Sequence, residues 1–413
     1  MTGSPTMQGT QTTLRALPRV LLVGRVGAEA ESLGRSLAQQ AYLVTTVAGS
    51  GEALERLRAA RFALVLLDVD LPGAAGPEFI EALRSDTDLA SMPIILVSAA
   101  DDMAAIERCL ESGADDYLPK VFGPAVLRAR INAALDRRRL RENQHLRSEM
   151  AVARNIQRDF LPESLPRVRG VQLEAALHPA REVSGDFYDV FQLAPSSSIV
   201  LVVGDVCDKG VGAALFMALF RSLIRASADP VGGGAIQMVG GRRTLVRQSL
   251  ESATPADLLT RVAGFTNNYI ARLHGRTNMF ATVFLAVLDP LYGSLVYLNA
   301  GHEPALIVAP DGSIRELRPT GPALGMMPDS EFTAVEERLE KGESLFAFTD
   351  GLVEARSPTG EVYGSERLRA VLMAHCSRSA PELVGGVIEA LRTFAKQAEP
   401  HDDLTLLAAT RVD

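Results

Sequence analysis

The chain has 413 residues, too many for one ordinary hydrophobic core, so two or three domains are expected. Hydrophobic residues make up 47% and charged residues 22%, a globular composition, and the net charge of −8 argues against a general nucleic-acid binder. Three scattered cysteines (Cys109, Cys207, Cys376) form neither a disulfide framework nor a zinc site, and no apolar run approaches the ~20 residues of a membrane helix.

Residues 1–17 begin MTGSPTMQGTQTT, without the basic and apolar segments of a signal peptide, and read as a disordered tail. A soluble cytoplasmic protein without nucleic-acid or membrane partners is expected. Short β runs at 19–23, 42–45, 62–67, 94–97 and 116–118 then alternate with helical patterns. Five such repeats predict an α/β domain over 18–137, a five-stranded parallel sheet, doubly wound with helices on both faces. From Ala125 to about Phe160 there is neither glycine nor proline, which predicts one long helix. Its basic segment DRRRLRENQHLR reads as a solvated face. Its apolar residues Leu127, Ile131, Leu135, Leu146, Met150 and Ala153 are partly at helical spacing, but heptads are not sustained. Residues 138–166 are therefore a helical linker, with a homodimer through it left open.

LPESLP (161–166) ends the helix and starts a second domain over 167–413. Its β runs come as hairpins, such as 280–288 with 294–298 and 305–308 with 314–317, separated by helical stretches. This predicts an α+β domain with antiparallel sheets. The glycine-rich VGGGAIQMVGGRR (231–243) lacks the order of a phosphate-binding loop and reads as a plain loop.

Four places in this domain set aspartate beside a β run or sharp turn: VSGDFYD around Asp186, GDVCDKG around Asp205 and Asp208, FTDG around Asp350, and HDDLTLL around Asp402 and Asp403. Each alone is a turn residue by default. Together they are more economical as one site, because buried carboxylates without a cation repel one another and take up protons. All-oxygen ligands favour Mg²⁺ or Mn²⁺ over zinc. His302 and His401 lie near these motifs and read as structural.

The segments AVARNIQRDFLP, REVSGDFYDVF, VVGDVCDKGVGAALFMA, LNAGHEPALIV, FAFTDGLVEA and HDDLTLL resemble, in this order, the SpoIIE-like branch of the metal-dependent PPM serine/threonine phosphatases. The resemblance covers about 151–413 and implies a β-sandwich flanked by helices. It implies that Asp186 and Asp205 hold two Mn²⁺ or Mg²⁺ ions with the backbone carbonyl of Val206, that Asp350 and Asp402 complete the cluster, and that Asp403 is a ligand or supports one. Asp208 falls outside the usual ligand set. Two such ions share an activated water aimed at a phosphoserine or phosphothreonine phosphorus, so Cys207 need not be a nucleophile. Arg181 could reach the phosphate, although a solvated arginine is the simpler reading. The usual pair of glycines before the first aspartate is here Ser184-Gly185.

Residues 18–137 resemble the CheY-like receiver of response regulators through LLDVDLPGAAGPEFIEALR, PIILVSAADD and GADDYLPKVFGPAVLRARI. The resemblance makes Asp68 the phosphoacceptor, Ser98 the hydroxyl residue, Tyr117 the switch aromatic and Lys120 the pocket lysine. The acidic pair that holds Mg²⁺ in receivers is replaced by Gly24 and Arg25 in RVLLVGRVG, and the proline after the lysine by Val121. Arg25 would then bring positive charge beside Asp68. A pseudo-receiver is favoured over weak phosphorylation aided by Arg25. The implied partners are a histidine kinase or other protein at the receiver and a phosphorylated STAS-type anti-anti-sigma protein as substrate. A non-catalytic scaffold that binds a phosphorylated partner is the alternative. A DNA-binding regulator is disfavoured, since no helix-turn-helix follows the receiver.

Overall fold

A computed structural model describes residues 17–25, 27–70, 75–98, 103–193, 196–228, 235–239, 242–246, 254–396 and 398–412. The expected tail lies outside these except for Leu17. The chain divides into two units, Met1–Ser148 and Glu149–Asp413.

The first unit contains β1 (Arg19–Val23), α1 (Ala28–Ala38), β2 (Leu43–Val47), α2 (Ser50–Ala59), β3 (Leu64–Asp68), α3 (Ala75–Ser85), β4 (Ile94–Ser98), α4 (Met103–Glu111) and β5 (Asp116–Pro119). Helix α5 (Pro124–Phe160) begins here and ends in the second unit. The strands form one parallel sheet in the order β2-β1-β3-β4-β5. Its central strands are apolar without alternation because both faces are covered. Leu21, Val65, Leu67 and Leu96 pack with α2, α3 and α4, whereas Val20, Leu22, Leu66 and Ile95 pack with α1 and the first turns of α5. Asp68 closes β3 beside β1, where the strand order reverses and ligands collect at strand ends.

The second unit continues with β6 (Val171–His178), β7 (Asp186–Gln192), β8 (Ile199–Val206), α6 (Val211–Ala228), β9 (Ala235–Val239), β10 (Arg242–Val246), α7 (Pro255–Leu273), β11 (Ala281–Leu288) and β12 (Ser294–Ala300). There follow β13 (Ala305–Val308), β14 (Ile314–Leu317), β15 (Val335–Arg338), β16 (Ser344–Phe348), α8 (Gly364–Ala374), α9 (Ala380–Ala395) and β17 (Leu404–Arg411). Two antiparallel sheets, ordered β15-β12-β11-β8-β7 and β14-β13-β16-β17-β6, form a sandwich. Alternation along β8 assigns its faces: Val200 and Val202 pack with α6 and α7, while Leu201 and Val203 pack against the other sheet. On β17, Leu406 and Ala408 face α8 and α9, and Leu407 and Ala409 face inward. Each sheet thus carries one helical layer on its outer face.

Two sequence expectations need correction. The segment 231–243 is not a plain loop, because β9 and β10 form an antiparallel hairpin with Ala235 opposite Val246. The flanking glycines hid two five-residue runs containing isoleucine, valine and threonine, residues that favour strands. Helix α6 is also an 18-residue segment apolar enough, by length and composition, to cross a membrane. In this fold Ala213, Met217, Phe220 and Ile224 line its buried face against the first sheet.

Candidate functional site

Both sheets of the second unit place carboxylates at one end of the sandwich. Asp186 opens β7 and is the direct cross-strand partner of Asp205, the penultimate residue of β8. Asp350 follows β16 and Asp402 precedes β17, the strand paired with it. The two sheets are tied together at this end. Thr349 Oγ1 donates to Asp186 Oδ2 at 2.7 Å and accepts the Thr405 N–H at 2.9 Å. Asp403 accepts the Ala180 N–H through Oδ1 at 2.7 Å and the Gly185 N–H through Oδ2 at 2.8 Å. Two glycines make the approach possible. A Cβ at Gly351 would lie 1.9 Å from the Asp403 carbonyl oxygen, and one at Gly185 would lie 2.9 Å from the Val206 carbonyl oxygen.

The electrostatics follow from this crowding. Burial, then the nearby Asp350, and further Asp402 and Asp403 push the Asp205 carboxyl up to about 7. Burial and the Asp205 charge hold Asp186, only 2% exposed, well above the usual carboxylate range. Asp350 is raised by burial, then by Asp402 and Glu354. Against these stands Lys209, whose Nζ lies 2.7 Å from Asp402 Oδ2 and donates to the His401 carbonyl at 2.9 Å. Among the described residues, no three His, Cys, Asp or Glu side chains already converge as a finished ligand set. Thr349 holds Asp186 and Lys209 holds Asp402. Carboxylates that take up protons for want of positive charge are nevertheless the donor set a hard divalent cation fits.

The remaining expected residues have plainer places. Asp208 is an exposed turn residue with φ 75, its Oδ1 accepting the Lys209 N–H at 2.8 Å. Cys207 Sγ accepts the Phe280 N–H at 3.2 Å, and burial pushes its thiol up, away from a nucleophilic thiolate. His302 is buried and pushed down to about 4 by burial, so it is neutral, with Nδ1 bonded to Thr282 Oγ1 at 2.8 Å. Arg181 and His401 are exposed. The sequence reading missed Thr349, Lys209 and Gln157. The signal for Gln157 was present: it continues the 4-3-4 spacing of Leu146, Met150 and Ala153, so it falls on an apolar stripe as a polar residue in need of buried partners.

In the first unit a cleft of about 710 Å³ is lined by Gly24, Arg25, Glu29, Asp68, Asp70 and Lys120, among others. Lys120, not Arg25, neutralises Asp68. Its Nζ lies 3.3 Å from Asp68 Oδ1, 2.7 Å from Asp70 Oδ2 and 3.6 Å from Glu29 Oε2, while Arg25 is exposed. Ser98 ends β4, buried, and its carbonyl accepts the Lys120 N–H at 2.7 Å. Tyr117 is half-buried on β5. A Cβ at Gly24 would lie 2.7 Å from the Asp68 Cβ, so the packing of Asp68 requires glycine there.

Residues 20–132 match the response regulator receiver domain family. Residues 195–412, just over half of the chain, match stage II sporulation protein E (SpoIIE). The chain belongs to the SpoIIE family. The SpoIIE match begins after Asp186, but the β7–β8 register binds that residue to the matched region. Protein IcfG of Synechocystis sp. is 42% identical over 267 residues, which are 64% of this chain and 42% of IcfG. Phosphoserine phosphatase RsbU of Bacillus subtilis is 27% identical over 269 residues, 65% of this chain and 71% of RsbU. The aligned part therefore spans less than half of IcfG. The solved SiaA-PP2C domain of Pseudomonas aeruginosa superposes with a TM-score of 0.52 at 21% identity, covering 66% of this chain and 99% of that one. The sandwich of this SpoIIE-family chain is thus the PPM (PP2C) phosphatase fold, joined to a receiver fold.

Proposed function

We propose that this chain is a metal-dependent protein serine/threonine phosphatase whose activity is set by its receiver-like unit. The observation that carries the reading is the convergence of two strand-end carboxylate pairs, with Asp205 held at about 7 by burial and by Asp350. In this reading Asp186, Asp205, the Val206 carbonyl, Asp350 and Asp402 hold the ions. A pair of Mg²⁺ or Mn²⁺ ions, when bound, supplies an activated water and offsets the charge of the phosphoryl oxygens.

The chain's own residues orient this site. Thr349 fixes the Asp186 carboxylate, and Lys209 offers an ammonium at the mouth of the cluster to a phosphate dianion. Asp403 already spends an acceptor from each oxygen on backbone N–H groups, so we assign it to holding the 180–185 segment rather than to a leading ligand role. In the net reaction water forms a new P–O bond, the P–O bond to the serine or threonine breaks, and the departing oxygen takes a proton. No covalent enzyme intermediate is needed.

RsbU is named a phosphoserine phosphatase. That name and the SpoIIE membership support a phosphoserine protein as substrate, and we propose a STAS-type anti-anti-sigma protein in a cytoplasmic partner-switching pathway. At the receiver the glycine demanded at position 24, where receivers carry an acidic residue, favours a pseudo-receiver that answers a protein partner, whether a histidine kinase or another. Helix α5, whose residues belong to both units, is the natural transmitting element and a candidate homodimer contact. Phosphate release from a phosphoserine protein, measured with Mn²⁺, Mg²⁺ or EDTA, tests the reading. Turnover that is indifferent to EDTA would remove its basis.

A further inference from the structure

The basic segment 136–147, expected as a solvated face, lies on the part of α5 that belongs to the first unit. Upstream of it Leu127, Ile131 and Ala134, spaced four and three apart, are buried and set the helix on the sheet. The same stripe continues at 138 and 141, but there it carries arginines. From 136 to 148 no described side chain of α5 is buried, and charge replaces apolar packing. Its targets are Asp115 and Asp116 at the start of β5, whose side chains are only 10% and 13% exposed. Asp116 accepts from Arg130 Nη1 at 2.8 and 3.0 Å and lies 3.6 Å from Arg137 Nη2. Asp115 Oδ1 accepts from Arg141 Nη1 at 3.1 Å. Its Oδ2 accepts the Ile94 N–H at 2.9 Å and Arg84 Nη2 of α3 at 3.1 Å. Arg138 Nη1 donates to the Ala63 carbonyl at 3.4 Å. The helix is thus held at the beginnings of β3, β4 and β5. Arg139 differs, since its ion pair is with Asp136 on the same helix, at 3.5 Å.

We infer that Asp115 and Asp116 form, with Arg130, Arg137 and Arg141, an ionic clamp that opens as ionic strength rises. Closed, it fastens α5 to the receiver-like unit for about two turns beyond its last buried apolar residue. Two opposed effects set its strength. The carboxylates are mostly buried, so leaving them without the arginines is costly. The arginines are 43% to 63% exposed, so their attraction is open to screening, and the Debye length falls from about 10 Å at 0.1 M salt to about 3 Å at 1 M. The apolar packing of Leu127, Ile131 and Ala134 does not depend on charge and stays. Since α5 runs on to Phe160, the clamp decides whether the first unit's hold on that helix ends near Ala134 or near Arg141. The inference concerns only the first unit and α5, and it stands apart from the phosphatase reading.

The experiment uses the full chain as wild type, Arg141→Gln, the double variant Arg137→Gln/Arg141→Gln and, as a control, Arg139→Gln. Glutamine is close to arginine in helix propensity, so each variant removes charge and leaves the intrinsic preference for helix nearly unchanged. Backbone hydrogen exchange over 124–134 and over 135–148 is read by mass spectrometry at about 0.1 M and about 1 M NaCl. At the lower salt the double variant should exchange over 135–148 about fivefold faster than wild type or more. Arg141→Gln should fall between the two, and Arg139→Gln should match wild type. At the higher salt wild type should approach the double variant, which itself should change little, while 124–134 stays protected in every protein. Equal exchange of wild type and the double variant over 135–148 would overturn the inference, as would wild-type protection indifferent to salt. Loss of protection over 124–134 in the double variant would also overturn it, by assigning the arginines to the folding of the whole helix and not to a clamp at its exit.

Discussion

Asp186 and Asp205 face each other as direct partners across β7 and β8, and both carboxyls are pushed toward the protonated form by burial and by neighbouring acids. A fold gains no stability from such a pair. It retains a local cost that positive charge relieves, and the consequences can be measured.

The first consequence is a pH dependence in EDTA. Asp205 has its folded value raised to about 7, against about 3.9 for a free aspartate. The folded state then binds more protons than the unfolded one between about pH 4 and pH 7, so this contribution to stability is full below pH 4 and is lost as pH rises through 7. Every tenfold gain in proton affinity on folding corresponds to about 1.4 kcal/mol. The thermal midpoint of the wild type in EDTA should fall across that window more steeply than that of Asp205→Asn, and Mn²⁺ should remove most of the difference. Equal slopes for the two proteins would contradict the raised carboxyl.

The contact between Gly351 and the Asp403 backbone gives a second prediction. With a Cβ placed 1.9 Å from a carbonyl oxygen, Gly351→Ala must displace the Asp350 turn or the 402–403 turn. A destabilisation of roughly 1–3 kcal/mol is expected from this overpacking. Urea unfolding of the two proteins measures it, and a change below about 0.5 kcal/mol, the ordinary surface value, would show that the turns do not meet so closely.

Thr349 supplies a third. Its hydroxyl both donates to Asp186 and accepts from Thr405, linking the two sheets. Thr349→Val keeps the shape and removes both bonds, leaving the Thr405 N–H without its partner. A loss of about 1–3 kcal/mol in stability and about tenfold in Mn²⁺ affinity is expected, by denaturant unfolding and calorimetry. Thr349→Ser should recover most of the affinity.

At the receiver-like unit, Lys120 already balances Asp68 and Asp70, and no acidic pair stands at Gly24-Arg25. Acetyl phosphate with Mg²⁺ should leave the intact mass of the chain unchanged. Gly24→Asp should not restore phosphorylation, because any Cβ at that position meets Asp68. Stable phosphate incorporation that is lost in Asp68→Asn would overturn the pseudo-receiver reading.

Much of this architecture was legible because it is written locally. The apolar runs of the first unit and the hairpin turns of the second repeat at short range. The strand-end aspartates stand beside small residues that betray close backbone approach. What was not legible depends on distant contacts. The bonds from Asp403 to Ala180 and Gly185 span more than two hundred residues of chain. Arg25, expected to bring charge beside Asp68 because it follows β1, lines the same cleft but is exposed, and the cation paired with Asp68 is the expected pocket lysine, Lys120. The β9–β10 hairpin was obscured by glycine, whose density outweighed two short runs of strand-forming residues. Gln157 stood on the apolar spacing of its helix, but its partner Ser184, 27 residues away, was not legible.

The central claim is that the converging aspartates run metal-dependent phosphoester hydrolysis. The most direct measurement is phosphate release from a phosphoserine STAS protein by wild type and Asp205→Ala, each with Mn²⁺, Mg²⁺ or EDTA. Removing Asp205, a metal ligand in the proposed reading, should lower turnover by on the order of 10³-fold, a loss of about 4 kcal/mol of transition-state stabilisation. The account predicts turnover by the wild type only with a divalent ion, and almost none by Asp205→Ala with either ion. Comparable turnover by the two proteins would contradict it.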